Sequence, residues 1–413
     1  MGKYTIKLDR NVLKLLGTQL YGDVPSVIAE LVANSYDAEA HNVWITINTK
    51  GSSIIIEDDG NGMTEEEINS RFLNIGYDKR ETISVTSHRK MMGRKGIGKL
   101  AAFSLTNCVK VLSCKKGKKA GCILDFIKIT TDGGEPEDIP IEEIIFSNKH
   151  LSEMGSGTRL ELLNIKKRIT TSYRYIVNRL IRMFDVNDKE FLIHIRKNKE
   201  KFKTLHRDAL DYFSIMDTIV VIGDEFLEKK SIVDNNKIVK NLKLTYTYDD
   251  VVSLNQKNRR HKLLSFPYEL EVEDKSRKQV IREFSITGWI GTVSNLPELN
   301  EINKKLVVSN KSEDEEINRI SVNDNRISIF SRNKLGEYDI LPKIKTNTNR
   351  EAYVIGELYA DIFEDDDLVD MAISNRRGYE EQDSRYIEVI KIAKSLLNFV
   401  VKKRTNYPQE KYK

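Results

Sequence analysis

A carboxylate, a carboxamide and a second carboxylate recur at short intervals in Glu30-Leu-Val-Ala-Asn34-Ser-Tyr-Asp37-Ala38. A helix, turning about 100° per residue, brings Glu30, Asn34 and Asp37 onto one narrow stripe and turns Ile28, Leu31, Val32 and Ser35 towards a core. Such a stripe faces either solvent or a ligand. A second group follows at Asp58-Asp59-Gly60-Asn61-Gly62-Met63, where two glycines one residue apart permit a sharp turn and close approach of the backbone to a ligand. An Asp at the tip of a buried strand must be aimed at a hydrogen-bond donor. A third group, Gly93-Arg-Lys-Gly96-Ile97-Gly98-Lys99, runs directly into Leu100-Ala-Ala-Phe-Ser-Leu105. A glycine-rich loop entering a helix offers amide groups and the positive end of the helix dipole to a phosphate.

The span from Gly93 to Lys99 matches GxxxxGK, but Leu100 stands where a P-loop needs Ser or Thr for Mg²⁺, and the residues before it are polar and loop-like. A P-loop is rejected on both grounds, and a dinucleotide-type GxGxxG does not occur.

These groups need a frame. Gly22-Asp-Val-Pro25-Ser26 supplies the break and the proline expected at a helix start. Asn42–Asn48 alternates as a half-buried strand does, Lys50-Gly51-Ser52 turns, and Ser53–Glu57 returns, which predicts an antiparallel hairpin ending at Asp58. Thr64-Glu-Glu-Glu67 is a capping box and opens a helix expected to run to about Gly76. Residues 77–95 are polar without a clear period, a lid over the glycine loop. Val109–Cys114 and Gly121–Phe126 flank a basic turn, Lys115–Lys119, as a second hairpin, and Thr158–Leu162 follows Gly155-Ser-Gly157 as a further strand. A helix over Ser172–Phe184 and a strand over Glu190–Ile195 close an α+β layer sandwich.

A boundary is expected between Phe202 and Asp211, giving domains 1–205 and 206–413. Beyond it, Ile219–Ile222 and Leu242–Thr247 read as strands, and Leu254–Ser265, with Lys257, Arg259, Arg260 and Lys262, reads as an exposed basic loop and a candidate DNA contact. One long strand is expected over Glu283–Val293, others over Arg326–Ser331 and Tyr353–Ala360, and a closing amphipathic helix over Ser384–Lys403.

The chain of 413 residues carries 67 basic and 62 acidic side chains, so its net charge of +5 is a small difference between large numbers, a mixed-sign surface with a weak lean towards polyanions. Apolar residues make up 39%, enough for a sizeable core. Cys108, Cys114 and Cys122 lack CxxC spacing and the histidines lack HExxH spacing, which points to reduced structural thiols and away from a zinc enzyme. The start has no signal-peptide core and no run reaches transmembrane length, so a cytoplasmic, soluble protein is expected.

In order and spacing, Glu30-xxx-Asn34-xx-Asp37-Ala38, Asp58-x-Gly60-x-Gly62, Gly93-xx-Gly96-x-Gly98 and Gly157-Thr158 resemble the motifs of the GHKL ATPase superfamily, which includes the ATPase component of DNA gyrase, the 90-kilodalton heat-shock chaperone, histidine kinases and MutL. The resemblance implies an α+β protein: an N-terminal Bergerat-fold α/β sandwich, then a transducer-like α+β domain similar to those of gyrase and MutL. It implies ATP and Mg²⁺ as cofactors. Asp58 would accept the adenine amino group, with Thr158 on the same edge, and Asn34 would coordinate Mg²⁺. Asp37, Gly60, Gly62 and Met63 would complete the nucleotide-binding set. Gly93, Gly96, Ile97, Gly98 and Lys99 would cradle phosphate, and Glu30 would be the general base for the attacking water. A cation from the second domain would reach the γ-phosphate: Arg376 in Ile373-Ser-Asn-Arg376-Arg377, with Arg377 and Lys334 as alternatives.

Because Glu30 is present, hydrolysis is favoured over histidine phosphorylation. The resemblance further implies a homodimer closed by ATP through the segment before Pro25, and a partner that is DNA or an effector protein, in DNA repair or phage defence. A chaperone-like remodelling ATPase is the rival reading, and a protein histidine kinase a more distant one.

Overall fold

The computed structural model describes residues 23–73, 89, 91–92, 98–131, 142–144, 149–166, 173–184, 190–205, 212–223, 244–257, 263–299, 325–332, 334–344, 349–373 and 378–410. The chain divides into two units, Met1–His206 and Arg207–Lys413.

The first unit is built on an eight-stranded sheet. Its strands are β1 (Asn42–Asn48), β2 (Ser53–Asp58), β3 (Cys108–Lys115), β4 (Lys118–Asp125), β5 (Glu142–Glu143), β6 (Gly157–Leu163), β7 (Leu192–Lys197) and β8 (Lys203–Thr204). They lie in the order β5-β4-β3-β6-β2-β1-β7-β8. Both expected hairpins form: Ile45 faces Ile56 across β1–β2, and Val111 faces Cys122 across β3–β4. All neighbours are antiparallel except β1 and β7, which run parallel with Trp44 opposite His194.

Side chains alternate across the sheet. Val43, Ile45, Ile47, Ile54, Ile56, Leu160, Leu162, Ile193 and Ile195 are all buried on one face. Against them pack helix α1 (Val24–Asp37), a 3₁₀ segment (Gly98–Ser104) and α2 (Tyr173–Met183). Helix α1 starts where the sequence demands: Asp23 caps it by accepting from the Ser26 amide at 2.8 Å, and Pro25 sits in the first turn. Ile28, Leu31, Val32 and Ser35 are buried, as the stripe reading requires. The opposite sheet face carries Trp44, Glu57, Arg159 and His194, with only a small apolar cluster of Leu112, Cys114 and Leu151 under the short helix Lys149–Met154.

Several expectations are corrected. The Thr64 capping box forms, but the helix is α-helical only over Glu65–Glu67 and widens to a π-turn over Ile68–Phe72. The helix after the glycine loop is 3₁₀ and begins at Gly98. Strand β8 leaves no trace in the sequence, since two residues are too few for an alternation to register.

The second unit holds a six-stranded sheet of β9 (Met216–Ile222), β10 (Leu244–Thr247), β13 (Thr287–Val293), β14 (Ile327–Ser331), β15 (Lys334–Glu337) and β16 (Val354–Tyr359), and a separate hairpin of β11 (Tyr268–Glu273) and β12 (Gln279–Phe284). The sheet order is β10-β9-β13-β16-β14-β15. Helices α3 (Tyr248–Lys257) and α4 (Ser384–Glu410) pack on it over a core including Ile290, Ile329, Leu358, Val389 and Leu396. The long strand expected over Glu283–Val293 is two: β12 ends at Phe284 in the hairpin with β11, and β13 starts at Thr287 between β9 and β16, while Phe284 and Ile286 are both buried across the break. The expected basic loop from Leu254 begins instead as the last turn of α3.

All three cysteines are free thiols. Among the described residues no helix is long and apolar enough to cross a membrane.

Candidate functional site

The end of β2 delivers Asp58 beneath α1. Its carboxylate is 6% exposed and accepts three hydrogen bonds: from Ser35 Oγ at 2.9 Å, from the Gly60 amide at 3.1 Å and from the Thr158 amide at 3.2 Å. A carboxylate has about four acceptor positions, so one is left for an incoming donor. Burial pushes the Asp58 carboxyl up to about 6, and these three bonds only partly oppose the shift.

Thr158 stands opposite Asp58 in the β2–β6 register. Its Oγ1 lies 3.1 Å from Ser113 Oγ, which is 3.1 Å from the Gly157 carbonyl and accepts from the Met63 amide at 2.8 Å. The sequence reading missed Ser113. The available signal was period two: Val109, Val111 and Ser113 share the inward face of β3, and a hydroxyl there needs a partner. Ser35 belongs to the core on spacing, and its position is buried; that its hydroxyl meets Asp58 is a long-range contact no local pattern encodes.

Glycine is required in the loop between. The Asn61 amide donates to the Ala38 carbonyl at 2.7 Å, drawing the loop against the end of α1, and a Cβ on Gly60 would stand 2.6 Å from that carbonyl oxygen. Gly62 has φ +62°, and a Cβ there would lie 1.8 Å from the Cys114 carbonyl oxygen.

On α1, Glu30 is 6% exposed and Asn34 is half-buried one turn on. Asp37 accepts from the Met92 amide at 2.7 Å and so fastens the 77–95 stretch near its end. Arg89 fastens it a second time: it donates to the Ala40 and Glu190 carbonyls at 2.6 and 2.8 Å and lies 5.1 Å from the Tyr36 ring centroid. Nothing in the sequence singled Arg89 out from its polar neighbours.

Asp58, Gly60, Gly62, Met63 and Thr158 thus come together at one end of β2, β3 and β6, with Ser35 joining them to the helix of Glu30, Asn34 and Asp37. Gly98 opens the 3₁₀ segment that packs on α1, and Lys99 follows in it. Gly93, Gly96, Ile97, Arg376 and Arg377 lie outside the described residues, as do most of the 77–98 lid and the segment before Asp23. Lys334 is the first residue of β15 in the second unit.

Residues 23–158 match the family of histidine kinase-, DNA gyrase B-, and HSP90-like ATPases. The first unit holds a GHKL ATPase domain. Over 417 aligned residues, 98% of this chain and 57% of the relative, it is 27% identical to a putative type II restriction enzyme HgiDII of Herpetosiphon aurantiacus. It is 26% identical over 202 residues to the DNA mismatch repair protein MutL of Petrotoga mobilis, covering 46% of this chain and 30% of that one. The MutL of Parabacteroides distasonis is 30% identical over 163 residues, 39% of this chain and 26% of its own. The chain therefore spans little more than half the length of the restriction-enzyme relative and under a third of these MutL proteins.

The pocket suits the family's ligand chemically. A buried carboxylate with one open acceptor position matches an exocyclic amino group, and the Thr158 hydroxyl beside it can donate or accept at the same edge. Among the described residues no three His, Cys, Asp or Glu side chains converge as a metal cage. A Mg²⁺ ion that takes most of its ligands from phosphate and water needs none, and the carboxamide oxygen of Asn34 is a hard donor of the right kind.

Proposed function

We propose that this chain binds and hydrolyses ATP with Mg²⁺ and uses the cycle as a switch acting on DNA. The observation that carries the reading is the Asp58 carboxylate, kept buried by Ser35, Gly60 and Thr158 at the foot of the helix bearing Glu30 and Asn34.

In this reading Asp58 accepts the adenine amino group and Thr158 completes that edge. Asn34 contributes an oxygen to Mg²⁺, which supplies charge neutralisation across the phosphates when bound. Gly93, Gly96, Ile97, Gly98 and Lys99 hold phosphate through the backbone. Glu30 takes the proton of the attacking water. Arg376 steadies the γ-phosphate, with Arg377 and Lys334 as alternatives. Occupancy orders residues 77–98 against the anchor formed by Arg89 and Asp37, and closes a homodimer that hydrolysis reopens. DNA is the favoured partner because relatives bearing restriction-enzyme and mismatch-repair names align with this chain, one across 98% of it. Defence against foreign DNA or DNA repair, with an effector protein doing the downstream chemistry, follows as the setting.

Calorimetry with purified protein, ATP and Mg²⁺ tests the core of this. Uptake with a defined stoichiometry is expected, with Glu30→Ala retaining uptake but losing turnover, and Asn34→Ala and Asp58→Asn losing uptake. Normal hydrolysis by Glu30→Ala would remove the general-base assignment; no uptake by the wild type would remove the whole reading.

A further inference from the structure

The β7–β8 hairpin closes one edge of the first sheet and carries a concentration of positive charge that the nucleotide site does not use. Residues 196–203 read Arg-Lys-Asn-Lys-Glu-Lys-Phe-Lys, five cations to one carboxylate. Lys199, Lys201 and Lys203 are exposed, and so is Lys50 in the neighbouring β1–β2 turn. Among the described residues none of Lys50, Lys197, Lys199, Lys201 and Lys203 forms an ion pair, whereas Lys115, Arg159, Arg282, Arg332, Lys343, Arg385 and Arg404 are all matched to carboxylates.

The hairpin is also held firmly. Asn198 has φ +53°; its amide donates to the Ile47 carbonyl at 2.9 Å, and its side-chain oxygen accepts from the Thr49 amide and hydroxyl at 2.9 and 3.1 Å. The tip is thereby locked to the β1–β2 turn that carries Lys50. Arg196 is fixed as well, donating through Nε to Thr46 Oγ1 at 2.9 Å with its guanidinium 4.1 Å from the Phe202 ring centroid. Its two terminal nitrogens have no partner among the described residues.

Resting on the reading that the protein acts on DNA, we propose that this edge is where it does so: the β7–β8 tip and the β1–β2 turn form one rigid basic surface that seats the phosphate backbone of duplex DNA. Unpaired lysines on a pre-ordered hairpin neutralise phosphates without first breaking internal ion pairs, and counterion release drives the association. The contacts are to phosphate, so the surface positions DNA without reading its sequence.

Fluorescence anisotropy of a labelled duplex against the full chain, with a non-hydrolysable ATP analogue and varied salt, tests this. Replacing Lys197, Lys199, Lys201 and Lys203 with Gln is expected to weaken binding about tenfold or more and to reduce the slope of log K on log salt by about 3, while ATP uptake stays unchanged. A control with the same charge loss, Lys116, Lys118, Lys275 and Lys278 to Gln, is expected to bind as the wild type does. If the wild type binds no duplex even at low salt, the DNA reading itself fails. If the wild type binds and the hairpin variant binds equally, or the control loses as much, or Arg259→Gln with Arg260→Gln carries the loss instead, the hairpin proposal alone is overturned. Equal hairpin-dependent binding of anionic vesicles or duplex RNA would overturn the assignment to DNA.

Discussion

Ser35 Oγ donates to Asp58 Oδ2 at 2.9 Å, across 23 residues of sequence. The hydroxyl also lies 3.3 Å from the Leu31 carbonyl in its own helix, and with a single hydrogen to give it favours the closer, charged acceptor. The helix that carries Glu30 and Asn34 and the strand tip that carries Asp58 are therefore joined inside the pocket.

Ser35→Ala is expected to weaken ATP binding about tenfold and to lower stability by about 1–3 kcal/mol, as loss of a buried charge-assisted bond does. It is also expected to move the pH midpoint of ATP binding upwards, since that bond holds the Asp58 carboxyl down against burial. Calorimetric titrations from pH 5 to 8 read the affinity and its midpoint, and urea unfolding reads the stability.

The raised Asp58 carboxyl, at about 6 against an ordinary 3.8, has two consequences of opposite sign. Nucleotide uptake, which uses the ionised form, is expected to decline as pH falls through about 6. Stability of the ligand-free protein runs the other way: the folded state holds the proton more tightly, so this contribution is complete below the unfolded value and is lost as pH rises through about 6, roughly 3 kcal/mol in all. Urea midpoints at pH 4.5 and 7.5 for wild type and Asp58→Asn isolate the effect, which the variant is expected to lack.

Gly62 and Gly155 share a left-handed backbone, φ +62° and +74°, but differ in surroundings. A Cβ on Gly62 would meet the Cys114 carbonyl oxygen at 1.8 Å; a Cβ on Gly155 would meet nothing within 4 Å. Gly155→Ala is expected to cost about 1–2 kcal/mol from backbone strain alone. Gly62→Ala is expected to cost clearly more and to abolish nucleotide binding, because the loop must leave β3. Chemical denaturation of the pair separates conformation from space.

Arg385 is 1% exposed at the start of α4, paired with Asp383 at 2.7 and 2.9 Å and donating to the Val369 and Ile362 carbonyls at 2.8 and 3.3 Å. Arg385→Ala leaves the partly buried Asp383 carboxylate without its cation and two carbonyls without this donor, and is expected to destabilise the second unit by about 3 kcal/mol. Thermal unfolding followed by a probe confined to that unit measures it; an unchanged midpoint would mean the site refills with water at no cost.

Local order was legible in the sequence and tertiary order was not. The strands from Asn42 to Asp58 follow from alternation, the capping box at Thr64 from four residues, and the start of α1 from Asp23 and Pro25, all interactions within one turn or one hairpin. Ser35, Ser113 and Arg89 escaped because each acts on a residue far along the chain. The break at Ser285 and Ile286 was hidden for a related reason: burial alternates without interruption from Glu283 to Gly288, and only the pairing, β12 with β11 and β13 with β9 and β16, divides the run in two. The tight backbone at Gly60 and Gly62 was legible because both sit in one short motif, whereas the unpaired lysines of the β7–β8 tip look like any solvated charge run until their neighbours are seen.

The parallel pairing of Trp44 with His194 makes β1 wait for the far end of the unit. While the ribosome is still making the residues before β7, β1 has its hairpin partner on one side and a bare hydrogen-bonding edge on the other, its apolar inward row half covered. Nascent protein cut short near residue 190 would thus end its sheet in a sticky strand, and synthesis has to pass Lys197 before that edge is sealed.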